Sequence, residues 1–424
     1  MVKKYATALV DQFVASVFSF VLSIVLIRIW EPEAFGVFAF WQTTLLLVIG
    51  IQNAMVNTPL NIFIPASKTQ GEVRQVEETL FTINLILVFA FVILSLATGS
   101  WLPGASSNAV SAGVITALFL GGGLVREYER SRCFGNQQPI GAFRINSAYT
   151  LIGSVALVIA FFEPDRLDLI MLFGILSVAS IVSSFFGQSA ARASSSTRLW
   201  PPKIDNYHPI WVQSKWALVG VITTNIQGRG YVYLISAAAG LEALAMIAAA
   251  EIVFRPIGLL VTAWARVSRP RLAVLASQSD FVEFHRIVRI ALLGLFLSYG
   301  VLCGVVWLGW NLIDEYLYLE RYNEMGSLVG GWALVVFIGS VRAIFSNSLQ
   351  SLKRFKRLAT ATVFGSLSFL ASALVILPIF GYRRILVCLA VAELVSLFYI
   401  YIEYRKFGPS KNRQFGTESK TWAT

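Results

Sequence analysis

Apolar residues along the chain gather into runs of about 20, the length that crosses roughly 30 Å of hydrocarbon as a helix. Polar residues sit mostly in short breaks between the runs. The pattern predicts about twelve spans, at 8–29, 36–57, 79–101, 108–129, 141–162, 167–188, 213–236, 240–264, 287–311, 327–350, 358–380 and 383–403. Three longer polar stretches, 58–78, 189–212 and 265–286, read as connections outside the bilayer. The first run starts near Ala6 and continues past Val25 with no small-residue cleavage site behind it, so it reads as a span and not as a leader.

Composition sharpens this picture. Of the 424 residues, 56% are hydrophobic and only 13% are charged, with a mean hydropathy of +0.69. A soluble domain carries roughly 25% charged residues, and so few charges cannot cover a water-exposed surface of this size. The runs leave no room for a soluble domain. Cys133, Cys303 and Cys388 are far apart and form no CxxC pair, which argues against a disulfide framework or a zinc site. His208 and His285 both fall in basic loops.

A net charge of +11 raises the question of nucleic acid. The placement of the charges answers it. With the N-terminus inside, the outer loops hold Arg28, Arg166, Arg321, Arg383 and Arg384, four arginines lie in spans, and every other lysine or arginine is cytoplasmic. This is the positive-inside asymmetry. It predicts cytoplasmic termini, anionic membrane lipids as the partner of the basic face, and no nucleic-acid binding. Acidic residues divide evenly between the two sides, as expected if only Lys and Arg orient the chain.

Twelve spans invite a search for a six-plus-six repeat. Glu33-Ala34-Phe35-Gly36-Val37-Phe38-Ala39 opens span 2, and Glu242-Ala243-Leu244-Ala245-Met246-Ile247-Ala248 opens span 8. Gly123-Leu124-Val125-Arg126 lies in span 4, and Gly339-Ser340-Val341-Arg342 in span 10. The expected fold is an all-α polytopic membrane protein with two pseudo-symmetric six-helix bundles around a central cleft. Residues 1–188 form the first bundle, 189–212 a cytoplasmic linker, 213–403 the second bundle and 404–424 a cytoplasmic tail.

Ionisable residues inside spans cost a few kcal/mol each, so they face protein or water. Arg229 stands in the polar stretch Thr223-Thr224-Asn225-Ile226-Gln227-Gly228-Arg229-Gly230 of span 7. Its flanking glycines predict a bend and a cavity wall; the plainer alternative is a helix contact with the guanidinium on backbone carbonyls. Glu251 and Arg255 are spaced to share one face of span 8 as an ion pair, and Pro256 predicts a kink beside them. Arg126 and Arg342 occupy matching places, Glu393 is central in span 12, and Asp11 is near the inner end of span 1. Gln52, Asn53 and Asn57 in span 2 read as polar glue between helices. Arginines outnumber acids within the spans, which suits the interior to an anionic substrate. Arg229, Arg255, Arg342, Arg126, Asn225 and Gln227 are the candidate substrate-binding residues. Glu251, Glu393 and Asp11 are the candidates for coupling to an ion.

The segment Arg28-Ile29-Trp30-Glu31-Pro32-Glu33-Ala34-Phe35-Gly36-Val37-Phe38-Ala39 resembles the span 1–2 junction of the polysaccharide-type flippases. The second-half counterpart, Gly240 to Ala250 followed by Arg255-Pro256, is looser. The resemblance implies a superfamily that also holds multidrug exporters and a lipid II flippase. It further implies a transporter of undecaprenyl-pyrophosphate-linked oligosaccharide repeat units across the bacterial inner membrane for surface or exopolysaccharide synthesis. A polysaccharide polymerase and glycosyltransferases would then be further partners. Many relatives carry an acidic residue in span 7 where this chain has Arg229, so the coupling ion stays open.

Two other function classes remain to be weighed. A multidrug or cation antiporter would want acidic cavity residues, and the arginine majority argues against it. A membrane polymerase or ligase would want a large outer loop; the longest here is near 312–326 and holds Asp314, Glu315, Glu320 and Glu324, which read as a solvated acidic patch. No nucleophile–base constellation or phosphate loop is visible, so the chain is not expected to be an enzyme or to need a cofactor.

Overall fold

The computed structural model describes residues 2–67, 69–97, 109–191, 207–318, 322 and 325–407. Among them there is no strand. Twelve long helices follow in order. They are α1 (Val2–Ile29), α2 (Pro32–Gln52, continued by a π turn at Asn53–Asn57 into Thr58–Ala66), α3 (Gln70–Ala97), α4 (Ala109–Gly135), α5 (Pro139–Phe162) and α6 (Leu169–Ala191). Then come α7 (His208–Ala238), α8 with two arms (Gly240–Ile252 and Arg255–Ser277), α9 (Phe281–Leu308), α10 (Met325–Ser351), α11 (Phe355–Phe380) and α12 (Ile385–Arg405).

Among the described residues, each predicted span overlaps one of these helices, but two of the three polar stretches are largely helical. Among the described residues, the stretch 58–78 is helical except at 67 and 69, and 265–286 is helical except at 278–280. Hydropathy reports burial in lipid, not helicity, and these amphipathic extensions keep helical sequence outside the apolar runs. The second break is set locally. Ser279 takes a positive φ of 58°, and the Asp280 carboxylate then accepts from the Glu283 amide (3.1 Å), capping α9. Within the third stretch, residues 192–206 lie outside the described residues, as do Glu320 and Glu324 and nearly all of the predicted tail.

Eight helices, α2, α3, α5, α6, α9, α10, α11 and α12, are each long and apolar enough to cross a membrane, and α8 makes a ninth if its arms, bent by 54°, form one span. The other three, α1, α4 and α7, carry Asp11, the Arg126–Arg132 run and the Thr223–Arg229 stretch. Large apolar side chains point outward along the bundle helices: Leu151 is 76% exposed, Phe161 80%, Leu308 80% and Leu374 77%. Such a surface belongs in lipid and not in water.

The chain divides into two compact units. The first comprises Met1–Ile222 with Ile235–Ala245, and the second Thr223–Leu234 with Met246–Thr424. Helix contacts repeat with a period of six. In the first unit α2, α3, α5 and α6 pack on α4, and α6 also packs on α5. Correspondingly, the second arm of α8 together with α9, α11 and α12 packs on α10, and α12 also packs on α11. The pairing of α1 with α5 has its counterpart in α7 with α11, joined by a Thr223–Thr362 hydroxyl contact of 3.1 Å and by Gly230 against Phe369.

Two features of the first unit recur below. Gly36 is packed against the backbone of Leu241; a Cβ there would lie 2.8 Å from the Leu241 carbonyl carbon. Tyr207, just before α7, is buried with Val56, Leu60, Ile64, Leu80 and Tyr128. Its hydroxyl donates to the Met55 carbonyl (2.8 Å) inside the π turn, and burial raises the phenol above the ordinary tyrosine value, which keeps it a donor. Tyr207→Phe leaves that carbonyl unsatisfied. It should lower stability by about 1–2 kcal/mol, readable as a lower unfolding temperature of the purified protein.

Candidate functional site

In the first unit the polar chemistry is built on α4. Gly121, Gly122 and Gly123 let neighbouring helices close on it: a Cβ at Gly123 would lie 2.6 Å from Leu45, and one at Gly122 3.4 Å from the Ser177 carbonyl. One turn on, the Arg126 guanidinium lies flat over the Tyr149 ring of α5, 3.6 Å from its centroid. Its Nε and Nη1 are buried and have no hydrogen-bond partner among the described residues. Beside it, Gln52 donates to Asn84 (2.7 Å) and to the Leu124 carbonyl (2.7 Å), and Asn57 donates to Gln52 (3.1 Å) and Asn53 (2.8 Å). This amide network ties α2, α3 and α4 together at the π turn, the glue expected of these residues.

Further along α4 the same arrangement occurs twice. Arg130 bridges Asp11 of α1 and Glu127 of its own helix. It donates to Asp11 at 3.1 and 3.2 Å and to both Glu127 oxygens at 2.9 and 3.0 Å, and Asn146 donates to Asp11 at 2.6 Å. Asp11 is fully buried and fully hydrogen-bonded within this cluster. Arg132 bridges Glu77 of α3 and Glu129 of its own helix, at 3.5 and 3.7 Å, and Asn136 donates to Glu77 at 3.0 Å.

The second unit holds a different network. The Arg342 guanidinium pairs with the Glu393 carboxylate through Nε and Nη2, the latter at 3.2 Å. Gln227 donates to Glu393 (3.2 Å) and accepts from Ser396 (3.1 Å). Ser396 also bonds to the Ala361 carbonyl (3.0 Å). Four helices, α7, α10, α11 and α12, meet here because Gly339 and Gly365 leave space: a Cβ at Gly339 would sit 3.3 Å from the Glu393 carboxylate, and one at Gly365 2.7 Å from Gln227 Cδ. Arg126 and Arg342 therefore occupy matching places with unlike partners, an aromatic ring in one unit and a carboxylate in the other.

The predicted residues of α7 part company. Gln227 points into this network and is buried, whereas Arg229 and Asn225, one turn apart, share the half-exposed face. Arg229 has no hydrogen-bond or ion-pair partner among the described residues. No break opens at these glycines: α7 is assigned as helix through both, and a Cβ at Gly230 would lie 3.0 Å from the Phe369 ring. The α8 break does occur beside Pro256, but it falls between Glu251 and Arg255. The two are thus not on one continuous helical face. Proline has no amide hydrogen and starts the second arm, so the first arm ends before Arg255. Glu251 accepts from the Tyr231 hydroxyl (2.7 Å), and Arg229 and Arg255 lie within electrostatic reach of that hydroxyl.

The sequence reading did not single out Tyr149, Ser396, or the carboxylates Glu77, Glu127 and Glu129. The alternation Arg126-Glu127-Tyr128-Glu129-Arg130-Ser131-Arg132 was the available signal, but it straddles the predicted end of span 4 and reads there as a solvated terminus.

No protein-family profile and no curated protein sequence matches the chain. Solved structures do, over nearly its whole length. A multidrug resistance MATE family transporter of the MOP superfamily, in an inward-facing conformation, matches with a TM-score of 0.73 at 12% identity, covering 92% of this chain and 94% of that one. The lipid II flippase MurJ, in an inward closed conformation, matches with a TM-score of 0.75 at 12% identity, covering 93% and 87%. A MOP superfamily transporter from Pyrococcus furiosus Vc1, described as having a binding pocket of reverse polarity that suggests a different function, matches at 0.59 and 12%, covering 96% of each chain. Identity this low speaks for fold alone. The chain is a multi-pass membrane protein with the transporter fold that the MATE and MurJ structures share.

Proposed function

We propose that the chain is a flippase for undecaprenyl-pyrophosphate-linked oligosaccharide repeat units, working by alternating access in the bacterial inner membrane with both termini cytoplasmic. The observation that carries this reading is Arg126. A guanidinium stays charged at any physiological pH, and a buried one with Nε and Nη1 unpartnered needs an anion to complete it. Its fork matches phosphate oxygens, and the Tyr149 face holds it flat for that contact. Arg229, on the half-exposed face of α7 with Asn225, is another candidate cation with no acid partner among the described residues. Arg342 is committed to Glu393, so its charge is offset before any substrate arrives.

The likeness in fold to a lipid II flippase supports a lipid-linked cargo, and the excess of cationic over acidic groups available to a ligand argues for an anionic one. No bond is made or broken. The protein lowers the cost of taking a hydrated, charged headgroup through hydrocarbon while the polyprenyl tail stays in lipid. A polymerase and the glycosyltransferases of the same pathway are the partners this role calls for.

Arg126→Ala and Arg229→Ala should each reduce delivery of the lipid-linked repeat unit to the outer leaflet by about tenfold or more. Protein levels in the membrane should stay normal. Leaflet-specific labelling of the lipid-linked sugar in a deletion strain carrying each variant measures this. Full delivery by both variants overturns the reading. So does a deletion strain that becomes drug-sensitive without accumulating the lipid on the inner leaflet, which is the antiporter's outcome.

A further inference from the structure

The first unit holds a cavity that the arginine sites do not use. Its volume is about 470 Å³, within the roughly 300–1,000 Å³ of small-ligand sites. Three helix ends enclose it: the α1–α2 junction, the first turns of α4, and the turn from α5 into α6. With the termini cytoplasmic, as proposed, these ends face outward.

The lining is divided between two chemistries. Trp30, Trp41 and Phe173 form a buried aromatic wall. Two of these rings are fixed in place. Trp30 donates through Nε1 to the Leu167 carbonyl (2.7 Å), and Phe173 is stacked on Phe119 with centroids 4.6 Å apart. Glu31, Asp165 and Asp168 bring carboxylates to the same cavity, and all three residues are exposed, so they stand at its mouth. Asp168 gives Oδ1 to the Met171 amide (2.7 Å) at the start of α6. Asp165 has no ion-pair partner among the described residues. Among the described residues, no lysine, arginine or histidine lines the cavity.

The fold itself does not require this space. Thr116 lines it, ten residues before Arg126, and Trp332 stands ten residues before Arg342 in the equivalent helix. The equivalent helix ends of the second unit are packed with aromatic side chains. Trp332 is buried and donates through Nε1 to the Ile247 carbonyl of α8 (2.8 Å). Tyr318 is fully buried and donates to the Ala249 carbonyl (3.4 Å). Just before α12, the Tyr382 hydroxyl meets Met246 Sδ at 3.8 Å. The first unit thus has a threonine where a tryptophan would fill the gap.

A ligand for such a cavity needs two properties at once. It must donate hydrogen bonds to carboxylates, and it must lay an apolar face against indole and phenyl rings. The hydroxyls of a sugar ring do the first, and its C–H face does the second. A phosphate or a uronic acid is repelled by the acidic mouth. We propose that this cavity is a saccharide subsite, which takes a non-acidic sugar ring of the lipid-linked cargo at the outer end of the first unit. The link to the cargo rests on the flippase reading; the sugar selectivity of the cavity does not. Charge then sorts the two ends of the cargo within one unit, the anionic headgroup to Arg126 and an uncharged or amine-bearing sugar to the acidic mouth.

The test uses free sugars and no transport, so its failure and the failure of the flippase reading are separable. Saturation-transfer NMR on the purified full-length protein in lipid nanodiscs reads binding of methyl glucoside, methyl glucosaminide, methyl glucuronide and tetramethylammonium. Methyl glucoside and methyl glucosaminide should bind, and methyl glucuronide should bind at least about tenfold more weakly. Thr116→Trp copies the residue of the second unit into the gap. It should abolish transfer to both sugars without lowering the unfolding temperature. Asp165→Asn, at an exposed position that leaves the core intact, should weaken methyl glucoside about tenfold. No transfer to methyl glucoside in the wild type overturns the proposal. So does glucuronide binding as tight as glucoside binding, or glucoside binding unchanged in both variants. Binding of tetramethylammonium alone overturns it in favour of a site for organic cations.

Discussion

Gly36→Val is expected to abolish the accumulation of folded protein in the membrane. A Cβ at this position lies 2.8 Å from the Leu241 carbonyl carbon and closer still to its oxygen. The obstacle is backbone, which cannot swing aside as a long side chain does. Ordinary overpacking costs about 1–3 kcal/mol because neighbours yield. Here the start of α2 and the start of α8 must separate, with Phe35, Val37 and Phe38 of α2 and Ala243, Leu244 and Ala245 of α8 all buried. The cost should exceed about 3 kcal/mol, a large part of a typical stability margin. Fluorescence size-exclusion profiles of the solubilised variant measure it. A monodisperse peak at the wild-type level and unfolding temperature would show that the two helix ends part freely.

Glu393→Ala should be nearly as damaging for an electrostatic reason. Removing one partner of a buried pair leaves the other charge without compensation, at about 3–5 kcal/mol. Arg342 keeps 20% side-chain exposure, which places the effect at the lower end, about 3 kcal/mol. Gln227 loses its acceptor in the same step. Adding Arg342→Met should recover most of the lost stability, since replacing a whole buried pair by apolar groups is close to neutral. Thermal unfolding of the two variants side by side measures the recovery. The double variant also separates two roles for Glu393: stable protein that still moves its cargo would assign the carboxylate to architecture, whereas stable protein that has lost transport would place it in ion coupling.

The helical architecture was legible because lipid imposes a length rule on apolar runs, and every predicted span overlaps a helix among the described residues. The seven-residue and four-residue echoes between the halves were legible too, and the repeated helix contacts give them physical meaning: Gly123 and Gly339 are close-approach points in equivalent helices. Other features were hidden for identifiable reasons. The polar stretches 58–78 and 265–286 read as connections because hydropathy is blind to helix that leaves the bilayer. Glu251 and Arg255 read as an i,i+4 pair because spacing assumes an unbroken helix, and Pro256 breaks it between them. The glycines of α7 show in sequence as helix weakeners, but not that one of them makes room for Phe369. The Arg126–Arg132 run shows its charges in sequence but not their burial, since the acids that partner it come from α1 and α3, far away along the chain.

The π turn in α2 carries one residue more than an α-helix of the same height would. Its local cause is Pro59, whose missing amide hydrogen interrupts the regular i to i+4 pattern. Deleting one residue there would restore a plain helix and rotate everything beyond it by about 100°. Leu60 and Ile64 would then leave the cluster around Tyr128 and Tyr207. Pro59 stands four residues after Met55 and has no amide hydrogen, so the Met55 carbonyl has no i+4 donor and accepts from the Tyr207 hydroxyl. The apolar seat of the chain that enters α7 thus depends on an irregularity in helix length.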